Sequence, residues 1–227
     1  MLWLAGARAW PIIATVPAID PTAFIQAKLP VVPVPGIPEL VLHKASPSSG
    51  LAALAALDAG FGSPYWAYYW AGGLALARYV LDHRERVAGR RVLDLGTGAG
   101  LVAIAAAKAG AAQVIAADVD RYAIAAARLN AAHNGVAVTA LAGDVTRGAP
   151  PPGDVVLVGD LFYAADLAER VTAFLDRCLA AGREVLIGDP WRAHLPKARL
   201  TMLAEYAVAE TGHAATKPSA VFALLPA

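Results

Sequence analysis

At 227 residues and a formal net charge of +1, the chain is long enough for one large domain, and it carries no strong pull toward nucleic acid or an anionic membrane. Alanine is the largest single part of its hydrophobic share of 58%, and no uninterrupted apolar run reaches the roughly 20 residues of a spanning helix. The single cysteine, Cys178, can form no internal disulfide, and a reducing, cytoplasmic setting fits it.

Residues 1–18 are apolar, but Arg8 lies inside the stretch and Pro11 interrupts it, so a signal peptide is not expected. The segment reads as a poorly ordered leader or as extra residues from an upstream start codon. Asp20 followed by Pro21 predicts a helix cap and first turn, for a short helix through about Lys28. Four prolines in the nine residues from Pro30 to Pro38 impose extended, non-helical chain. Residues 39–44 then read as one strand, at an edge or in a hairpin outside the main sheet. His43 there is either a base or, more simply, part of a solvated strand end. Residues 51–59 fit a helix. Together, 1–63 form an N-terminal extension to a domain spanning 64–227.

That domain opens on Pro64-Tyr65-Trp66-Ala67-Tyr68-Tyr69-Trp70, five aromatics in six residues of a chain whose aromatic share is 7%. Such rings either fill a joint in the core or lie over a ligand crevice, where Trp70 in particular can stack or hydrogen-bond. A helix over 72–83 leads into the next strand.

The strand at 91–95 breaks into Asp94-x-Gly96-x-Gly98-x-Gly100, and a helix over 101–109 follows. Glycines at alternate positions let the backbone turn sharply and approach a ligand closely. The spacing departs from the dinucleotide fingerprint, because Leu101 stands where that pattern requires Gly or Ala. Asp94 at the strand end would repel a pyrophosphate and suits a ligand bearing an ammonium group.

The next strand, 113–118, ends on Asp118, where a carboxylate can accept from both hydroxyls of a ribose. A helix capped by Asp120 runs to about His133 and stops at Asn134-Gly135. A third strand, 136–142, precedes Gly143-Asp144-Val145. Three strand ends, each with an acidic residue, make one crevice. Beyond a surface linker at 150–153, strands at 154–160 and 184–188 flank a helix at 165–181 that carries Cys178 as a small buried side chain. A short helix begins at Pro196-Lys197. The segments 206–211 and 219–225 read as two antiparallel edge strands.

The glycine motif resembles the first motif of class I S-adenosylmethionine-dependent methyltransferases. This implies a Rossmann-like α/β fold, a mostly parallel seven-stranded sheet with helices on both faces. It also implies S-adenosyl-L-methionine as cofactor, held by Trp70, Asp94, Gly96, Thr97, Gly98, Gly100, Asp118, Asp144 and Val145, with Asp144 accepting from the adenine amino group. Asp160-Leu161-Phe162-Tyr163 ends the fourth strand, where open α/β sheets place their chemistry. It is not the Asn-Pro-Pro-Tyr type of glutamine and nucleobase methyltransferases. Its Asp-x-x-Tyr resembles the seven-β-strand protein-lysine methyltransferases. With Pro64-Tyr65-Trp66-Ala67, Trp70-Ala71-Gly72-Gly73 and Gly188-Asp189-Pro190, the chain from about Pro21 onward resembles the electron transfer flavoprotein β-subunit lysine methyltransferase family. Trp191, where glycine would be expected, departs from that pattern.

The resemblance implies protein-lysine N-methyl transfer, with the β subunit of electron transfer flavoprotein as partner and no nucleic acid, membrane or metal. Asp160 would hold the incoming amine, and Phe162 and Tyr163 would offer π faces to a methylated ammonium. Other acceptors, such as a ribosomal protein or a small amine, stay open. So does a cofactor-binding scaffold, although an intact Asp160 and Tyr163 argue against it. A nicotinamide dehydrogenase is disfavoured by Leu101 and Asp94.

Overall fold

The computed structural model describes residues 19–209, 211 and 215–226, so the expected leader at 1–18 lies outside the described residues. The first helix, α1 (Pro21–Lys28), is capped as its sequence predicts, the Asp20 carboxylate accepting from Thr22 N at 3.0 Å. The proline-rich stretch is extended, and part of it is a strand. β1 (Val31–Val34) pairs antiparallel with β2 (Ile37–His43) in a hairpin separate from the main sheet. A short helix, α2 (Leu51–Leu57), and the aromatic segment lead into α3 (Ala71–Asp82).

The main sheet then unfolds as a βα series. β3 (Arg91–Leu95), α4 (Leu101–Lys108), β4 (Gln113–Asp118), α5 (Arg121–His133), β5 (Thr139–Ala142), β6 (Val155–Gly159), α6 (Ala165–Ala180) and β7 (Glu184–Asp189) follow one another, with all five strands parallel. β8 (Leu200–Val208) and β9 (Lys217–Leu224) close the sheet antiparallel, in the spatial order β5-β4-β3-β6-β7-β9-β8. β9 is therefore an interior strand, contrary to the sequence expectation of two edge strands, and its run from Ser219 to Phe222 is buried. Of these two, only β8 lies on an edge, and β5 forms the opposite edge. Residues 136–138, expected as strand, are irregular. β5 pairs on one side only and is short.

Side chains alternate between two cores, as strand geometry requires. Val92, Val114, Ala116, Val155, Leu157, Leu186 and Val221 pack with α3 and α4. Leu93, Leu95, Ala117, Val156, Val158, Val185, Ile187 and Phe222 pack with α6. Along α6 the buried residues Ala168, Val171, Phe174, Leu175 and Cys178 recur at helical spacing, and the thiol is an interior side chain. α4 has eight residues, too few to persist alone in water, so its burial against the sheet holds it helical. No helix among the described residues is long and apolar enough to cross a membrane.

The N-terminal hairpin is fastened to the sheet through α5. Asn134 accepts from Val41 N at 3.1 Å and donates to Val41 O at 2.7 Å, while Asn130 accepts from His43 N at 2.8 Å. These two asparagines satisfy strand groups that no neighbouring strand pairs. His43 is neither a free base nor a solvated strand end. It is buried, with Nδ1 2.9 Å from Asn130 Oδ1, and burial lowers its pKa.

Helix α3 meets the ends of β6 and β7 backbone to backbone. A Cβ on Gly72 would stand 2.1 Å from Gly188 O, and one on Gly159 would stand 3.1 Å from Gly73 Cα. Gly72→Ala should therefore destabilise the protein by about 3 kcal/mol or more in urea unfolding, since backbone cannot move aside as a side chain can. Gly62→Ala, with nothing near its Cβ, is the control and should change stability by less than about 1 kcal/mol.

Candidate active site

The cleft opens at the carboxyl ends of β3 and β6, where the strand order reverses. Its lining includes Tyr65, Tyr69, Trp70, Asp94, Gly96, Thr97, Gly98 and Asp160. Gly96, Gly98 and Gly100 all have positive φ, at 69°, 52° and 86°. At two of them a side chain would also crowd a neighbour. A Cβ on Gly96 would lie 2.7 Å from the Leu161 side chain, and one on Gly100 would lie 3.0 Å from Ala127 Cα. Gly100 thus serves the packing of α4 against α5 and does not line the cleft.

Asp94 is buried beneath this loop. Its Oδ2 accepts from Thr97 Oγ1 at 2.6 Å and from Ala103 N at 3.1 Å, which caps α4 from the strand below. Burial, helped by the nearby Asp118 charge, pushes its pKa up to about 7 against the pull of those two bonds. Asp118 lies outside the cleft lining and ties the loop down, accepting from Gly98 N and from Asp120 N, each at 2.9 Å. Each of its oxygens keeps one lone pair free of those bonds. Asn130, which sequence reasoning missed, donates to Ala99 O at 2.8 Å. One α5 side chain therefore links the glycine loop to β2.

The aromatic segment divides into core and cleft. Trp66 is 2% exposed and stacks on Tyr122, with centroids 5.8 Å apart and planes at 10°. Trp70 precedes the first turn of α3, and its indole N–H donates to Tyr65 O at 2.8 Å. Tyr65 reaches Trp70 and Tyr163 alike, with centroids 5.7 Å from each ring, so three aromatics rim the opening. Tyr69 lines the cleft, and its buried hydroxyl has no hydrogen-bond partner among the described residues.

Asp160 follows β6 with a φ of 62°, unusual for a residue other than glycine. Its carboxylate receives the first amides of α3, Gly72 N at 3.0 Å on Oδ1 and Gly73 N at 2.5 Å on Oδ2. Arg192 Nη1 adds a contact of 2.5 Å to Oδ1. Burial raises the Asp160 pKa, while the Arg192 charge and these hydrogen bonds lower it. Tyr163 is half exposed at the rim, where burial and the neighbouring Tyr65 raise its hydroxyl pKa.

Phe162 is a correction to the sequence expectation. The ring is 0% exposed, packed in the α6-side core, and offers no face to an incoming group. The chain after β6 alternates outward and inward, so Tyr163 faces solvent and Phe162 anchors the turn.

Asp144 and Val145 stand apart from the cleft lining. Asp144 accepts from Thr146 N, Thr146 Oγ1 and Arg147 Nε, so a ligand amine there would compete with local partners. Val145 packs against the α6-side core. Among the described residues, no group of three or more His, Cys, Asp or Glu is placed to hold a metal.

Residues 75–180 match a family model described as ribosomal protein L11 methyltransferase (PrmA). The chain is 42% identical over 156 residues to the electron transfer flavoprotein beta subunit lysine methyltransferase of Rattus norvegicus, covering 66% of this chain and 61% of that protein. It is 47% identical over 135 residues to the protein of the same name from Danio rerio, covering 59% and 52%. These matches span little more than half to three fifths of the relatives' own length. The Pyrococcus horikoshii protein PH1948, provisionally named an RNA methyltransferase, superposes with a TM-score of 0.54 at 16% identity, covering 77% of this chain and 94% of that one. That likeness shows a shared fold. In sheet order the chain has the class I methyltransferase fold, and in sequence it is similar to electron transfer flavoprotein beta subunit lysine methyltransferases.

Proposed function

We propose that this chain transfers methyl groups from S-adenosyl-L-methionine to lysine side chains of the electron transfer flavoprotein β subunit. The observation that carries the reading is the 42% identity to a relative of that name, and it is supported by Asp160 in the cleft lining with Tyr163 beside Tyr65. The residues fit the cofactor on three counts. The loop is cleared of Cβ atoms, the buried Asp94 carboxylate gains from a cationic neighbour, and the unpartnered Tyr69 hydroxyl is a spare donor.

Trp70, Asp94, Gly96, Thr97 and Gly98 would hold the cofactor, with Asp118 toward its ribose and Asp144 and Val145 toward its adenine. When bound, it supplies a methyl group on a positively charged sulfur, already activated for displacement. The protein's part is then positioning. Asp160 accepts an N–H of the neutral lysine amine, and Tyr163 with Tyr65 gives the amine an aromatic wall that also suits the methylated cation. The reducing cytosol is the compartment in which the free buried Cys178 is at ease.

A second acceptor is favoured by one observation, the match to the ribosomal protein L11 methyltransferase model. That match runs from α3 to the end of α6 and includes Asp160 and Tyr163, but leaves out the aromatic segment before it and the loop after β7. Purified enzyme, labelled S-adenosylmethionine and each of the two proteins should give lysine mass increments of one to three methyl groups on the flavoprotein subunit. Label on ribosomal protein L11 alone, or on glutamine, would replace the reading.

Asp160→Ala should cut transfer at least about 100-fold by removing the amine acceptor, with S-adenosylhomocysteine affinity changed far less than in Asp118→Ala. Tyr163→Phe should cost less than Tyr163→Ala if the ring face is what matters. Near-normal turnover in a folded Asp160→Ala protein would remove that residue from the mechanism.

Cofactor binding should depend on pH through Asp94. Below pH 7 this carboxylate is protonated and neutral, and its attraction for an ammonium group disappears. Calorimetric affinity for S-adenosylhomocysteine should therefore rise as pH increases toward 7, by up to about tenfold per pH unit, and level off above it. In Asp94→Asn the affinity should be lower and most of this slope absent. An unchanged slope in that variant would assign it to another group.

A further inference from the structure

The loop after β7 brings a guanidinium to the same carboxylate that the transfer reaction uses. Asp189, 0% exposed, ends β7 beside Asp160, which follows β6. Trp191 then takes a φ of 64°, the second non-glycine residue of the site in left-handed conformation. A residue so strained persists only where its surroundings over-determine it. Here they do. Arg192 N donates to Asp189 Oδ1 at 2.7 Å, Arg192 Nη1 reaches Asp189 Oδ2 at 3.0 Å and Asp160 Oδ1 at 2.5 Å, and the Trp191 ring sits edge-on to Phe222 at 4.7 Å.

Counting lone pairs shows what this achieves. Asp160 Oδ1 already takes two donors, Gly72 N and Arg192 Nη1, while Oδ2 takes only Gly73 N. Only Oδ2 keeps a place for another donor. We propose that Arg192 is a positioning residue of the transfer site, which fills one oxygen of Asp160 and so directs an incoming amine to the other. The inference rests on the reading of Asp160 as the amine acceptor.

The groups facing Asp160 are few. Arg192 and Asp189 come from the β7 loop, the Gly72 and Gly73 amides from α3, and Asp94 lies across the cleft on β3. Arg192 is the one cation among them. Without its guanidinium, two buried carboxylates would stand side by side with only the α3 amides on Asp160 and the Arg192 amide on Asp189 to offset them, and a proton would bind. A protonated Asp160 uses a lone pair on its own hydrogen and is a poor acceptor for an amine.

The test compares Arg192→Met, Arg192→Lys and Asp160→Asn with wild type across pH. Transfer by Arg192→Met, taken as a ratio to wild type, should be down at least about 30-fold at pH 7 and recover to within about fivefold by pH 9.5. Arg192→Lys should fall between. S-adenosylhomocysteine affinity at pH 8 should stay within about threefold of wild type in both. A loss constant across pH, or an undiminished rate, would reduce Arg192 to a structural residue and overturn the proposal.

A second readout needs no acceptor protein. Besides the Asp94 carboxyl, which titrates near pH 7 in every variant, aspartate-labelled ¹³C NMR should show a second side-chain carboxyl protonated at pH 7 in Arg192→Met, absent from wild type, Arg192→Lys and the double variant with Asp160→Asn. If wild type methylates none of the offered proteins yet this signal appears, the acceptor reading fails and the control of Asp160 by Arg192 survives. If wild type is active and no such signal appears, this inference fails alone.

Discussion

One carboxylate joins three parts of the molecule at the mouth of the cleft. Asp160 accepts the opening amides of α3, whose unpaired N–H groups and positive dipole end favour a negative partner. It also meets the Arg192 guanidinium from the loop after β7. The sheet, the helix that follows the aromatic segment and the closing loop are thereby fixed to one another. The contact is possible only because Gly72, Gly159 and Gly188 let backbone meet backbone with no Cβ between.

The glycine loop is held by a second set of charges, arranged differently. Asp94 works from beneath, capping α4 and fixing Thr97, while Asp118 draws in Gly98 N from the side. Both carboxylates have raised pKa values because burial opposes their ionisation. Two desolvated carboxylates under a loop of positive-φ glycines leave the free protein electrostatically unfavourable at that spot. A cationic ligand relieves the strain, so affinity and local stability are coupled there.

The N-terminal segments take part in the same construction. Asn130 and Asn134, four residues apart on α5, hold β2 on one side, and Asn130 holds Ala99 of the glycine loop on the other. Tyr122, on the same helix, stacks on Trp66 and donates to Asp58, which pairs with Arg121. The hairpin and α2 region therefore bear on the loop through buried contacts across α5.

Much of this was legible in the chain. The βα alternation, the caps at Asp20 and Asp120, the glycine spacing and the acidic strand ends all depend on local geometry, on periods of 2 and 3.6 and on turns that only certain residues make. What only the tertiary structure decided depends on distance across the fold. Phe162 and Tyr163 are adjacent and chemically alike, yet one is core and the other rim, because the turn after β6 puts them on opposite sides. Trp66 and Trp70 divide the same way, one stacking on Tyr122 and the other capping the cleft with Tyr65. β9 inserts between β7 and β8, a pairing that no local pattern encodes. Arg192 carries no motif in the sequence, and only the left-handed turn at Trp191 brings it over two buried carboxylates. A side chain's chemistry is written in the sequence, but the neighbour it meets is set by backbone direction many residues away.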